Sequence, residues 1–356
     1  MPPRGETLMF RQEAKGQPDP KEEPIIVEAF GDRKCSKLIE QVTSDNAVTR
    51  RNALAVLCDE MHNPLSIHGC IEAGMISVLN NYIAKSDDAE TRERASRALS
   101  YAAMDANGRR AMLEEQTASA VVPGIDDVNV NVRSNVYQSL VNFVKGPLPC
   151  LQSVIKAKYA STLVQKAGSE IPEVQPLVLK LLYYCIRDQS GLDDALGAGA
   201  VTTCLSLLAA ASTDVRREAA ATLCFLCFTE EAKQSAIKGD CVAALVGLLS
   251  DADESVRSAA CGALMAVTTT DEGKMACVPA KADVALVGLL LNRIEPRSVH
   301  VHVLKCIANV CVHPNLREAM RKEERVLATL DSMETGSDTL IAKHASIAKA
   351  AVLWEP

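Results

Sequence analysis

The sequence predicts an all-α solenoid of about seven three-helix repeats, each close to 42 residues long, in a chain of 356 residues. Three observations predict it. First, a short motif recurs at positions 50, 92, 133, 175, 216, 257 and 300, so that successive anchors lie 41 to 43 residues apart. The anchor is Arg50, Arg92, Arg133, Arg216 or Arg257 in the well-formed copies, and Gln175 or His300 in two degenerate ones. Second, each anchor is followed three residues later by Ala or Val and seven later by Leu or Ile, as in Arg92, Ala95, Leu99. Offsets of three and seven fall on one stripe of a helix. Third, short acidic or hydroxyl clusters precede the anchors, such as Ser44-Asp45-Asn46, Ser86-Asp87-Asp88, Ser212-Thr213-Asp214 and Asp253-Glu254-Ser255. These supply the side-chain acceptors that cap the free amides of a new helix. A fixed period of this length means supersecondary units that stack and bury each other's apolar faces.

The other elements of the unit follow in order. Ahead of the capping clusters runs an apolar helix, clearest over 242–249, with copies at 201–208 and 284–291. An amphipathic piece such as 231–237 completes the unit as helix, helix, helix. Ala219, Ala220, Ala260, Gly262 and Ala263 permit close approach between adjacent repeats. Residues 1–24, with Pro2, Pro3, Pro18, Pro20 and Pro24 and no apolar period, read as a flexible arm. The repeat solenoid then spans 25–330, and 331–356 forms a C-terminal cap ending in a helix from Thr339 to Leu353. The uncharged stretch from Ala195 to Thr213 reads as two buried helices joined by a Gly turn at Gly197 to Gly199, not as a membrane span.

Composition excludes several functions. With 38 Lys+Arg against 45 Asp+Glu the net charge is −7, the wrong sign for a chain that binds nucleic acid through phosphates. Five Phe, six Tyr and one Trp are too few for base-stacking platforms. Thirteen Cys, an odd number scattered through apolar stretches, behave as small hydrophobes in a reducing compartment. The opening Met-Pro-Pro-Arg-Gly offers neither an apolar signal core nor a glycine for myristoylation, so no lipid anchor is expected.

The pattern Val-Arg-x-x-Ala-x-x-x-Leu after an apolar helix ending in Leu-Leu resembles the armadillo repeat over roughly residues 36–330. Two stretches resemble more specifically the armadillo-repeat radial spoke proteins of motile cilia and flagella. They are Ala29 to Arg33 with RNALAVLCDEMHNP over 51–64, and SAACGALMAVTTTDEGKMA over 258–276. The resemblance implies a noncatalytic structural subunit of the axonemal radial spoke. Such a subunit would scaffold spoke assembly, couple the central pair mechanically to the dyneins, and work among other spoke proteins in the axoneme of the cilium. It implies no nucleic acid, membrane, cofactor or small-molecule substrate. The rival within the same fold is a soluble armadillo adaptor or transport receptor that binds extended peptides. Such receptors carry Trp five residues after the anchor and Asn nine after. Here the Trp positions hold Ala55, Arg97, Gln138, Lys180, Ala221, Gly262 and Lys305, and of the Asn positions only Asn142 and Asn309 match.

The same offsets predict a groove of uneven chemistry. Its first half carries Arg94, Arg97, Tyr101, Asn135, Gln138, Asn142, Lys180 and Tyr184, suited to a partner's backbone and acidic side chains. Its second half, with Ala221, Ala259, Gly262 and Ala266, is expected to be narrow and featureless. The anchor arginines are expected to bond neighbouring helices. Cys224 and Cys227 have the spacing of a metal pair but lack a second pair. His300, His302, Cys306, Cys311 and His313 form the one His/Cys cluster; His300 stands at an anchor position and no acidic ligand accompanies them, so packing is the expected role. No P-loop, G-x-S-x-G or H-E-x-x-H is present, and Asn107-Gly108 reads as a helix-end turn. An enzyme that uses the cysteines is the remaining rival.

Overall fold

The computed structural model describes residues 31–292 and 294–355, apart from the Asp32 side chain. The expected arm at 1–24 lies outside the described residues. All described elements are helices, and the third helix of each unit carries the anchor motif. These helices are α1 (Ala47–Glu60), α2 (Ala89–Ala102), α3 (Val130–Phe143), α4 (Gln175–Cys185), α5 (Thr213–Leu226), α6 (Glu254–Val267), α7 (Arg297–Val310) and α8 (Thr339–Leu353). Each packs against the next along the chain. The predicted stripe is the core: Leu57, Leu99, Leu140, Leu182, Leu223, Leu264 and Ile307 are all fully buried. Burying each contributes on the order of 1.5–3 kcal/mol.

Local signals explain the helix starts. Asn46, Asp88, Asn129, Asp253 and Asp338 accept hydrogen bonds from the free amides of α1, α2, α3, α6 and α8. Ser212 takes the same position before α5 without a side-chain bond. The turn between the first and second helix of a unit is left-handed in six places: at Gly74 and Gly199, and also at Gln116, Lys158, Asp240 and Lys281. The stretch from Ala195 to Thr213 holds the end of one short helix and the helix Ala200–Leu207, joined through Gly199 at φ +85°, as the sequence predicts. Among the described residues no helix is long and apolar enough to cross a membrane.

The structure departs from expectation at two points. Asn107-Gly108 does not end a helix; it lies in the first turn of the helix Ala106–Glu114, whose amides are capped by Asp105. Gly108 is required there because an added Cβ would meet the Ala102 carbonyl oxygen at 1.8 Å. Gly191 and Gly273 make the same approach in later units, to the carbonyls of Cys185 and Val267. In addition, the boundary at 330 falls inside the helix Glu324–Glu334, whose Val326 and Leu330 are buried. That helix, Pro314–Lys322 and α8 make one more three-helix unit at the C-terminal end.

Candidate partner groove

The anchor arginines clamp adjacent units together. Arg92 pairs with Asp127 (2.5 and 3.2 Å), Arg133 with Glu170 (2.9 and 2.7 Å), Arg216 with Asp251 (2.8 and 3.2 Å) and Arg257 with Glu295 (3.2 and 2.8 Å). Each also donates to the carbonyl six residues before it, for example Arg133 to Asp127 O at 2.8 Å. One side chain therefore ties the turn before its own helix to a carboxylate of the next unit. Those four carboxylates are at most 8 % exposed. Burial alone would raise the pKa of Asp127, Glu170 and Asp251, but the guanidinium partners and nearby amides hold all three below the usual carboxylate range. The clamp is interrupted at α1, where Arg50 donates to Thr91 Oγ1 at 3.3 Å and the neighbouring Arg51 pairs with Asp88 at 2.8 Å, and at α4, where Gln175 donates instead to the Ala167 carbonyl at 2.9 Å; at α7 the anchor is His300, beside the Asn292 carbonyl.

The residues expected to line the groove lie on α2, α3 and α4, and most are engaged by neighbouring side chains or backbone. Arg94 pairs with Glu90 at 2.5 Å and donates to the Arg51 carbonyl; Arg97 pairs with Glu93 at 2.7 Å and stays exposed. Asn135 bridges to Ser96 Oγ of the preceding helix at 3.2 Å. Gln138 donates to Asn142 Oδ1 at 3.0 Å, while the Asn142 amide reaches the Ser100 carbonyl at 3.4 Å. Tyr101 packs on His62, ring centroids 4.8 Å apart, and Tyr184 meets Tyr183 edge-on at 5.8 Å. Lys180 is half-buried with no ion pair among the described residues.

The second half of the groove is not featureless. Helices α4 to α7 border an open hollow of about 600 Å3, lined by Tyr183, Phe225 and, in the turn after α5, Phe228, with Ala221 and Gly262 between them and His302 at its flank. Small residues at the fifth position after the anchor open the floor instead of narrowing it. The aromatics interlock edge-on, Tyr183 with Phe225 at 5.7 Å and Phe225 with Phe228 at 5.5 Å. A second hollow of about 240 Å3 shares Phe228 and is lined by Lys233, Ala266, Lys305 and Asn309. The readable signal was Tyr183, Tyr184, Phe225 and Phe228 gathered on two successive units in a chain with twelve aromatic residues.

The cysteines and histidines pack separately. His300 Nε2 lies 3.2 Å from the Asn292 carbonyl, Cys306 donates to the Cys261 carbonyl at 3.4 Å, and Cys311 lies against Met320 Sδ at 3.4 Å. Among the described residues no group of three His, Cys, Asp or Glu is placed to hold a metal ion. Burial pushes the Cys224 thiol up to about 11 and the Cys227 thiol higher still.

Comparison with known proteins agrees on the architecture. A family model for HEAT repeats matches residues 201–277. An engineered protein of known structure superimposes with a TM-score of 0.80 at 23 % identity, covering 90 % of this chain and 79 % of its own. A designed armadillo repeat protein in complex with the peptide (KR)4 does so with a TM-score of 0.60 at 24 % identity, over 65 % of this chain and 99 % of its own. The fold is an armadillo/HEAT-type solenoid. Such solenoids typically serve as noncatalytic scaffolds suited to protein–protein contact. In sequence, the chain is 26 % identical over 129 residues to Radial spoke protein 14 of Chlamydomonas reinhardtii. That match covers 36 % of this chain and 33 % of the relative, so the chain spans about a third of the length of the curated protein it matches.

Proposed function

We propose that the protein is a noncatalytic structural subunit of the axonemal radial spoke. In this reading it scaffolds spoke assembly and couples the central pair mechanically to the dyneins in the cilium or flagellum. The observation that carries the reading is the 129-residue likeness to Radial spoke protein 14. The clamped ladder of ion pairs supports it, since a scaffold under load gains from side chains that tie each unit to the next.

The groove face of α2 to α4 is the contact surface for other spoke proteins, through Arg94, Arg97, Tyr101, Asn135, Gln138, Asn142, Lys180 and Tyr184. Arg97 can exchange Glu93 for a partner's carboxylate at little cost, because an exposed pair at i,i+4 is worth only about 0.3–0.5 kcal/mol. The test is affinity isolation of the tagged protein from salt-extracted axonemes of ciliated cells. Recovery of spoke subunits in stoichiometric amount supports the proposal, and recovery of the protein alone contradicts it. A second reading, a soluble adaptor that binds extended peptides transiently, is favoured by the paired hollows on the groove floor.

A further inference from the structure

We propose that the second half of the groove is a seat for an extended partner segment carrying one large apolar side chain flanked by acidic residues. This goes beyond the scaffold reading by naming the chemistry of a partner, and it rests on that reading only in taking the groove as a contact face. Three observations carry it.

The first is shape. The hollow behind Phe225 and Phe228 is walled by aromatic rings and floored by Gly262. An added Cβ at Gly262 would reach His302 Cε1 at 3.5 Å and Cys224 Sγ at 3.6 Å, ordinary contact distances, so the open floor is not demanded by crowding. Phe228 is 62 % exposed, with its ring at the lip of the hollow. An aromatic ring held in water at the mouth of an apolar hollow is an anchor site.

The second is charge. From the second anchor onward the fifth position after each anchor forms a row along the groove, and in a chain of net charge −7 this row reads Arg97, Gln138, Lys180, Ala221, Gly262, Lys305. It contains three cations and no acid, and the two small residues coincide with the apolar hollow. Lys180 and Lys305 have no ion pair among the described residues. Near the hollow Arg217 is already neutralised by Asp214 at 2.5 Å and Glu218 at 3.0 Å. The opposing charge on the lining is Glu254, exposed in the first turn of α6, where solvent screens it.

The third is spacing. Packed helices lie about 8–10 Å apart, and an extended chain advances about 3.3 Å per residue. One unit of the groove is therefore about three residues of partner. A segment anchored over Gly262 brings an acidic residue to Lys305 about three positions to one side, and another to Lys180 about six to the other. At the smaller hollow Lys305 receives the nearer carboxylate, since Lys233 pairs with Glu230 at 3.6 Å and the Asn309 amide donates to the Met265 carbonyl at 3.2 Å.

The experiment is fluorescence anisotropy on the purified full chain. The probe is a fluorescein-labelled peptide bearing one phenylalanine, with glutamates three residues to one side and six to the other in a serine background. Replacing the phenylalanine by alanine, or the glutamates by lysines, is expected to weaken binding at least tenfold, and rising salt to weaken it further. Phe228→Ala, on an exposed residue, and Lys305→Glu should each weaken the parent peptide tenfold with the circular dichroism spectrum unchanged. Lys305→Glu should in addition bind better than the wild type to a peptide whose nearer glutamate is lysine, a swap that general loss of structure cannot produce. Gly262→Ala should raise the melting temperature and still lower affinity. The proposal is overturned if the lysine peptide binds the wild type as well as the glutamate peptide, if Phe228→Ala leaves binding unchanged, or if no binding is seen to millimolar peptide. Dimerisation abolished by Phe228→Ala would give the hollow to a second copy and also overturn it. None of these results bears on retention in axonemes, so the spoke assignment fails or stands separately.

Discussion

Replacing Arg133 by Met removes one rung of the inter-unit clamp and nothing from the groove floor. Its guanidinium makes two bonds to Glu170, at 2.9 and 2.7 Å, one to the Asp127 carbonyl at 2.8 Å and a longer, solvent-exposed one to the Val128 carbonyl at 3.4 Å. Met retains most of the stem, so packing changes little; what remains is a carboxylate 4 % exposed and unpaired. Breaking a buried pair from one side costs about 3–5 kcal/mol. Removing Glu170 as well, in the double variant with Leu, leaves no buried charge, and the deficit should fall to the lost carbonyl bond, about 0.5–1.5 kcal/mol. Because units stabilise one another as nearest neighbours, the loss should open the contact between α3 and α4 first. Urea unfolding by circular dichroism measures the total, and hydrogen exchange locates it. Arg110→Met, which removes an exposed 3.9 Å contact to Glu114, serves as the control and should change stability by less than about 0.5 kcal/mol. If Arg133→Met costs no more than that control, or if the double variant is worse than the single one, the clamp does not hold the stack and the reasoning fails.

Gly108→Ala should destabilise by about 1–3 kcal/mol, because the new methyl meets backbone at 1.8 Å, and the urea midpoint will show it. Acid should loosen the ladder in a definite window. Asp127, Glu170 and Asp251 bind protons less readily folded than unfolded, so their contribution is complete above the ordinary carboxylate range near pH 4 and is lost as pH falls through the depressed folded values. Midpoints measured from pH 7 to pH 2.5 should be flat and then fall; a rise on acidification would contradict the assignment. Arg94→Glu with Arg97→Glu should leave helicity unchanged and weaken incorporation into spokes in a complementation assay, and normal assembly would reject that part of the groove. Thiol labelling of the native protein should be confined to Cys35 and Cys224, the two half-buried cysteines, with the eleven buried ones reacting only on unfolding.

Much of the fold was written in the period. The anchors at 50, 92, 133, 175, 216, 257 and 300 each fall within a third helix, and the apolar offsets name residues that are fully buried. Such features are local, so one strand of sequence carries them. The clamp was only half legible: an arginine at a fixed register suggested inter-helix bonding, but its carboxylate lies 35 to 38 residues away and reads locally as part of a turn. The requirement for Gly108 was hidden for the same reason, since it depends on how closely one helix start approaches the end of the previous helix. In the groove, counting offsets placed Arg97, Gln138 and Lys180 on one row but not their internal partners. Asn142 proved to be tied to Gln138 and to the Ser100 carbonyl. The hollow was misread because Gly262 and Ala221 suggest close packing when seen alone; only the aromatic residues of the adjacent helices turn their smallness into volume.

The measurement that bears most directly on the central claim is fractionation of motile cilia. Detergent-extracted axonemes should retain the protein, and salt extraction should release it in a particle that comigrates with the radial spoke complex. Release with the soluble matrix, before salt is applied, would contradict the structural-subunit assignment and leave an adaptor built on the same solenoid.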